Sequence, residues 1–313
     1  MATTLHLAVA GPIHSTERPD NFDKSFDLAI RQRQNIPIKG SQFFREETAD
    51  SEVWKMTTWS NVLNMPRISN DTAPLPFTAP SKGYPLSVTI KTYRQALALT
   101  RTFIKVDRFK SVGSMQEGLL DMGKRHTEMG FANVINTGTT TNGSDGTTLF
   151  ANDHKNVDPR GGTWSNVGAA GAALSETTFG AARLILRKTT NDKGQISPVM
   201  VNQLIIPADL ESHAIKVTKS EREPGTALNA VNPWEGQAYF VWDYLTSTTA
   251  WYLWGDSPRE NWGLHYCILT KPEVNALPFP SAQYPDVVKG WYYYSQIEWA
   301  GSTLRNMLRD AGA

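Results

Sequence analysis

Between two strand-like runs of this chain lies "NVLNMPRISNDTAPLPFTAPSKG", residues 61–83, with prolines at 66, 74, 76 and 80. Proline fixes φ and removes a backbone donor, so such a stretch cannot continue a helix or the middle of a sheet. A structureless excursion of this length is uncommon inside a compact domain. The flanking runs are "SEVWKMTTWS" and "YPLSVTIKTYRQALALTRTFIKVDRF", the second with Leu86, Val88 and Ile90 alternating against polar neighbours as strand residues do. A two-stranded hairpin by itself is marginal in water. The expectation is a projecting hairpin over residues 51–108 that leans on another molecule. Trp54, Trp59, Pro74 and Phe77 are the residues expected to be partly buried in that inter-subunit contact.

Residues 1–50 read as an extended arm. One short helix is expected in "DNFDKSFDLAIRQRQN", where Phe22, Phe26, Ala29 and Ile30 fall at helical spacing. So polar a segment buries little surface by itself and must lie on something else. The first twenty residues lack the basic start of a signal peptide, and no run is long and apolar enough to span a bilayer. A soluble chain made in the cytoplasm, with no membrane partner, is expected.

The 313 residues suffice for a large core in one domain or two. Lys plus Arg number 31 and Asp plus Glu 30, so no charge excess marks a nucleic-acid reader or a membrane binder. Ten Trp, ten Tyr and twelve Phe make the chain aromatic-rich, suited to a Trp-filled core or to large interfaces. The one cysteine, Cys267, excludes internal disulfides and cysteine zinc sites; within "WGLHYCIL" it reads as a buried, inert thiol.

The clearest helix is expected near 114–136, opened by a Ser114–Glu117 capping box. Met115, Leu119, Met122, Met129 and Ile135 form its apolar stripe. Gly118, Gly123 and Gly130 each cost a helix about 1 kcal/mol relative to Ala, which points to close approach by a neighbour. A second helix begins at Ser175, with Phe179, Ala182 and Leu186 inward. "SPVMVNQLIIP" reads as a buried strand, and Pro207 opens a short helix whose His213 is expected to pack on that strand. "QAYFVWDYL", "AWYLWGD", "LHYCILT" and "GWYYYSQIEWA" read as strands. Helices and strands in irregular order make the class α+β.

The segment richest in chemical groups is "NGSDGTTLFANDHKN", residues 142–156, with Asp145, Asp153 and His154. A calcium loop needs oxygen ligands at alternate positions and a closing Glu; Leu149 and Phe150 stand where ligands belong. His154 has no partner at zinc-ligand spacing. Nucleophile elbows, Walker loops and dinucleotide fingerprints are absent from the sequence. The carboxylate pairs Asp121/Glu128 and Asp256/Glu260 read as surface charges. "AWYLWGD" with "ENWGLHY" could stack single-stranded bases, but these segments hold only Arg259, and that mode needs a basic groove. The expectation is a turn anchored by Leu149 and Phe150, with no catalytic residue, metal or cofactor.

In their order, these segments resemble the major capsid protein of tailed bacteriophages, the Mu-like head subunits in particular. "YPLSVTIKTYRQALALTRTFIKVDRF" looks like the returning strand of the family's E-loop, and "SMQEGLLDMGKRHTEMGFANVI" like its spine helix. "DGTTLFANDHKN" is similar to the stretch that follows that helix. "LSETTFGAARLILRKTTNDKG" through "VNQLIIPADLESHA", then "AWYLWGD" and "GWYYYSQIEWAGSTLRNMLRDAGA", resemble the remainder. The resemblance implies the Hong Kong 97 fold: N-terminal arm 1–50, E-loop 51–108, peripheral domain 109–190, axial domain 191–285 and return strand 286–313. It implies hexamers and pentamers that enclose double-stranded DNA without reading its sequence. It also implies a scaffolding protein, a portal and a decoration protein as partners. The short arm points to a scaffold on a separate chain. An encapsulin-type compartment shares the fold; a soluble hydrolase or a tail protein are the other readings.

Overall fold

The computed structural model describes residues 38–60, 81–106, 112–158, 161–168, 171–222, 231–256, 263–277 and 285–312. In chain order the strands are β1 (Phe44–Thr48), β2 (Val53–Ser60), β3 (Ser81–Thr89), β4 (Lys91–Thr100), β5 (His154–Lys155), β6 (Thr163–Trp164), β7 (Met200–Ile206), β8 (Ala238–Val241), β9 (Trp251–Asp256), β10 (Leu264–Ala276), β11 (Val287–Gly301) and β12 (Met307–Asp310). The helices are α1 (Arg101–Val106), α2 (Val112–Asn136), α3 (Glu176–Arg187) and α4 (Glu211–Lys219). The chain divides into two compact units. One contains Ile90–Thr127 and Ile268–Ile297; the other contains Gly40–Thr89, Glu128–Cys267 and Glu298–Ala313. The units are interleaved along the chain.

In the first unit, β4 pairs antiparallel with β11 from Lys91 opposite Ile297 to Thr100 opposite Val287. Alternation along β11 buries Tyr293, Ser295 and Ile297 and leaves Tyr292, Tyr294 and Gln296 half-buried. The Tyr293 ring lies so close to α2 that a Cβ at Gly123 would stand 2.1 Å from it. Tyr93 packs on His126 at 4.3 Å between ring centroids. The run expected to return as one long strand changes role at Ile90. Residues 81–89 belong to the hairpin, 91–100 pair with β11, and 101–106 turn helical.

The helix expected at 114–136 is present, but it begins at Val112. The expected start at Ser114 is corrected to two residues earlier. The expected stripe is also corrected: Met122 and Met129 are exposed, while Leu119, Phe131, Ala132 and Ile135 are buried. Two of the three glycines meet large rings, Gly123 as above and, in the second unit, Gly130 against Trp299; Gly118 has nothing within 4 Å of a Cβ.

The second unit is built on a four-stranded sheet of order β12-β9-β7-β8. β7 runs parallel to β8 and antiparallel to β9. A parallel pair needs a crossover, which a 3-10 turn (Ala208–Leu210) and α4 supply. Helix α3 starts where the sequence indicated: Ser175 and Thr178 exchange hydrogen bonds in a capping box. Its Phe179, Ala182 and Leu186 join Leu204, Ile206 and Leu253 of the sheet in one apolar core. Each such leucine, isoleucine or phenylalanine, fully buried, contributes about 1.5–3 kcal/mol. From α4 the core takes Ala214 and Val217; His213, expected to pack inward, is exposed at the edge of that face.

Residues 40–48, assigned to the arm by sequence, are structured. Phe43 is buried against Phe240, Trp242 and Trp254 at centroid distances of 5.4, 5.6 and 5.5 Å. A Cβ at Gly40 would fall 2.6 Å from the Trp242 ring, so only glycine fits there. Glu128, read from the sequence as a surface charge, is buried instead, and both its carboxylate oxygens accept from Gly40 N–H, at 3.0 and 3.1 Å. The expected helix in residues 20–35 lies outside the described residues.

Candidate functional site: a buried polar cluster and the foot of a hairpin

Residues 142–156 fold into a tight turn closed on itself. Gly143 N–H donates to Thr147 O at 2.7 Å, Leu149 N–H to Thr141 O, and Phe150 N–H to Gly138 O. Gly146 takes φ +81°, which a residue with a Cβ rarely adopts. Leu149 and Phe150 are buried, as expected, and pin the turn beneath the surface.

The same turn buries a polar cluster. The side chains of Asp145 and His154 are both fully shielded, with His154 Nδ1 2.7 Å from Asp145 Oδ2. Thr147 Oγ1 donates to that same oxygen at 2.7 Å. The other ring nitrogen, Nε2, faces Asn166 Oδ1 at 3.2 Å. Asn166 is locked in this orientation because its Nδ2 donates to Leu149 O and Leu304 O, and its Oδ1 accepts from Ala151 N–H. The His154 ring stacks on Trp164, 4.2 Å between centroids and 13° from parallel. The Arg305 guanidinium lies 4.7 Å from the Trp164 ring centroid. Its Nη2 donates to Asn156 Oδ1 at 2.7 Å and Asp192 Oδ1 at 2.8 Å, and its Nη1 to Thr190 O. The cluster thus ties the turn to the 190s loop and to the segment before β12.

The arrangement has the residues of a catalytic triad but not its wiring. In a working triad the hydroxyl and the carboxylate sit on opposite ring nitrogens. Here Thr147 and Asp145 share Nδ1, Nε2 is held by Asn166, and the ring has no exposed surface. Burial would raise the Asp145 carboxyl, but hydrogen bonds from His154 and Thr147 outweigh it and hold it below its ordinary value. Asp153 is exposed and takes no part. Among the described residues no three His, Cys, Asp or Glu side chains converge on a point. Cys267 is buried, and burial, with Glu47 and Glu298 nearby, pushes its thiol up to about 12. No described helix is long and apolar enough to cross a membrane. A groove of about 510 Å³ lies apart from the cluster, between the start of α3 and α4, walled by Trp234, Pro233 and Lys216.

The hairpin of the sequence reading is present. Strands β2 and β3 pair only with each other among the described residues. Trp54 stands opposite Val88 and Met56 opposite Leu86, which places these four side chains on one face. At the foot, Val88 is buried and Trp54 is half-buried, its ring 5.4 Å from His265 of the same chain. Further out, Met56 and Leu86 are half-buried. Tyr84 Oη donates to Asn156 O at 3.2 Å, so β3 is fastened to the polar cluster. Trp59 is placed by its backbone, in β2 opposite Lys82. Pro74 and Phe77 lie outside the described residues. Sequence spacing could not have found Asn166, Asp192 or Arg305, which reach the cluster from distant segments.

Residues 83–259, more than half of the chain, match the family model described as phage capsid protein. The chain belongs to this family: it is a major capsid protein, a subunit of the phage shell. A search of curated proteins returns no match. Among solved structures, it is similar to the capsid of bacteriophage JBD30 with a TM-score of 0.58 at 12% identity, covering 68% of this chain and 92% of that one. It is similar to a structure described as Microbacterium phage Oxtober96 (TM-score 0.55, 10% identity, 95% and 100% covered). It is also similar to the SrpI encapsulin of Synechococcus elongatus (0.54, 8%, 91% and 94%). The fold is therefore the α+β, Hong Kong 97-like fold that phage capsids share with encapsulins. The family matched is the phage one, which leaves the encapsulin reading the less favoured.

Proposed function

We propose that the chain assembles as hexamers and pentamers of a closed icosahedral shell around double-stranded DNA. One observation carries this reading beyond the family: a two-stranded ribbon whose apolar face extends past its own foot. Trp54 and Val88 are seated on the chain itself, while Met56 and Leu86 offer further apolar surface at about 25 cal/mol per Å² buried. On this reading the ribbon lies across an adjacent subunit, with Met56, Leu86, Trp59, Pro74 and Phe77 in that contact and Trp54 at its edge. The near-zero net charge suits a wall that encloses DNA without gripping it, since a basic lining would bind phosphate. The division into arm, E-loop, peripheral and axial domains, the separate scaffolding protein and the portal belong to the same reading, as does synthesis in a bacterial host's cytoplasm. A decoration protein belongs to it as well; a JBD30 capsid is described as decorated with minor capsid protein trimers.

Electron microscopy of the purified protein tests this reading. Closed shells are expected; a stable monomer under every shell-forming condition overturns it. Particle contents separate the rival: DNA supports the phage head, and a packaged enzyme supports the encapsulin-type compartment.

A further inference from the structure

His265, on β10, is 1% exposed at the point where β1, β2 and the segment after β11 meet it. Trp54 of β2 covers its ring at 5.4 Å and 40°. Its Nε2 lies 3.2 Å from Ser302 Oγ. That hydroxyl donates its one hydrogen to Gly263 O at 3.0 Å and accepts from Gly263 N–H at 3.0 Å. Toward His265 it can only accept, so Nε2 carries the ring hydrogen. Nδ1 is then a bare lone pair with no hydrogen-bond partner among the described residues. It faces Glu47 Oε1 at 3.6 Å, acceptor against acceptor. That oxygen is already held by Arg45 Nε at 2.9 Å. The charged groups facing the ring are thus Glu47 and Arg45, both from β1; β2 contributes the indole and the 302 segment a neutral hydroxyl.

We propose that His265 is an acid-sensitive fastening of the hairpin's foot: a proton reaching Nδ1 favours the state in which Trp54 has left its seat. In the closed foot a second ring proton creates a charge out of reach of water. Burial, with Arg45 adding to it, holds the ring down to about 4 from the ordinary 6.5. Glu47 pulls the other way from 3.6 Å, and loses because Arg45 occupies it. When the foot opens, the ring regains water and its ordinary affinity for protons. A group held low in the closed state and normal in the open one makes acid favour opening. The seat is firm above about pH 6.5, weakens as pH falls through 4, and levels off below that. The linkage raises the opening equilibrium about 20-fold between pH 7 and pH 5.

Amide hydrogen exchange on the full chain, corrected for the intrinsic pH dependence, tests this. Exchange at Trp54–Met56 and Leu86–Val88 is expected to rise about 20-fold from pH 7 to pH 5, while β7 and β9 stay unchanged. His265→Gln should abolish the rise. Arg45→Gln alters a half-exposed side chain, keeps the ring and should shrink the rise, because the repelling charge is gone. A flat wild-type profile overturns the proposal. So does the same rise in His265→Gln, an undiminished rise in Arg45→Gln, or loss of protection in β7 and β9 together with the foot.

Discussion

Asp145 and Asp153 share one loop and differ in every physical respect: one is shielded and bonded to His154 and Thr147, the other stands in solvent. Asp145→Asn should therefore cost about 1–3 kcal/mol, as for a buried partner lost from a hydrogen-bonded group. Asp153→Asn should stay within about 0.5 kcal/mol, and neither should alter metal content. Thermal unfolding with elemental analysis checks both. The pH dependence has a fixed sign. A carboxyl held below its ordinary 3.8 contributes stability that is complete above that value and drains away as pH falls through the lower folded one. Asp145→Asn should remove that acid-limb slope from a plot of unfolding free energy against pH. The sequence marked this loop as rich in groups and ruled out metal patterns. It could not show that Asn166 and Arg305 complete the cluster, because no spacing rule links residues so far apart.

At the scale of elements, the long helix was legible because its apolar residues repeat, yet its seating was not. Met122 and Met129 fit the helical period, but the rings of Tyr293 and Trp299 arrive at Gly123 and Gly130. Sequence gives the period; the neighbour chooses the face. A glycine series follows. Gly118→Ala meets nothing and should stabilise the protein by up to about 1 kcal/mol through helix propensity. Gly123→Ala and Gly130→Ala would put a Cβ 2.1 and 2.3 Å from ring atoms. Each should destabilise by roughly 1–3 kcal/mol, the overpacking outweighing the propensity gain. Denaturant midpoints of the three variants decide it. The hairpin has its own test. Met56→Ser with Leu86→Ser should cut particle yield severely while leaving the unfolding of unassembled subunits within about 1 kcal/mol. Trp54→Ala should lower both, because that ring is seated on His265. Equal losses in subunit stability for the serine pair would make the ribbon face a core surface and sink its role between subunits.

For the whole molecule, a net charge of +1 predicts shells that do not grip their contents. Affinity for duplex DNA should change far less between 50 and 200 mM salt than the roughly 10³-fold loss expected of a protein with six or more phosphate contacts. A filter-binding titration at both salts measures this, and a steep slope would reveal a basic lining hidden by compensating acids elsewhere.

Local patterning was enough to read the α+β class, the pairing of the strands at the hairpin's foot, the cap at Ser175, the buried strand before Pro207 and the order of landmarks shared with phage capsid proteins. These depend on periodicity, turn chemistry and φ preferences, which act over a few residues. Only the tertiary structure decided that residues 40–48 belong to an aromatic core and that the long run after residue 83 divides at Ile90. It also decided that Arg305 and Asp192 close the cluster around His154, and that Trp54 sits on His265. Those outcomes depend on which distant segments meet, and burial and hydrogen-bond satisfaction select among meetings that the sequence leaves equally open.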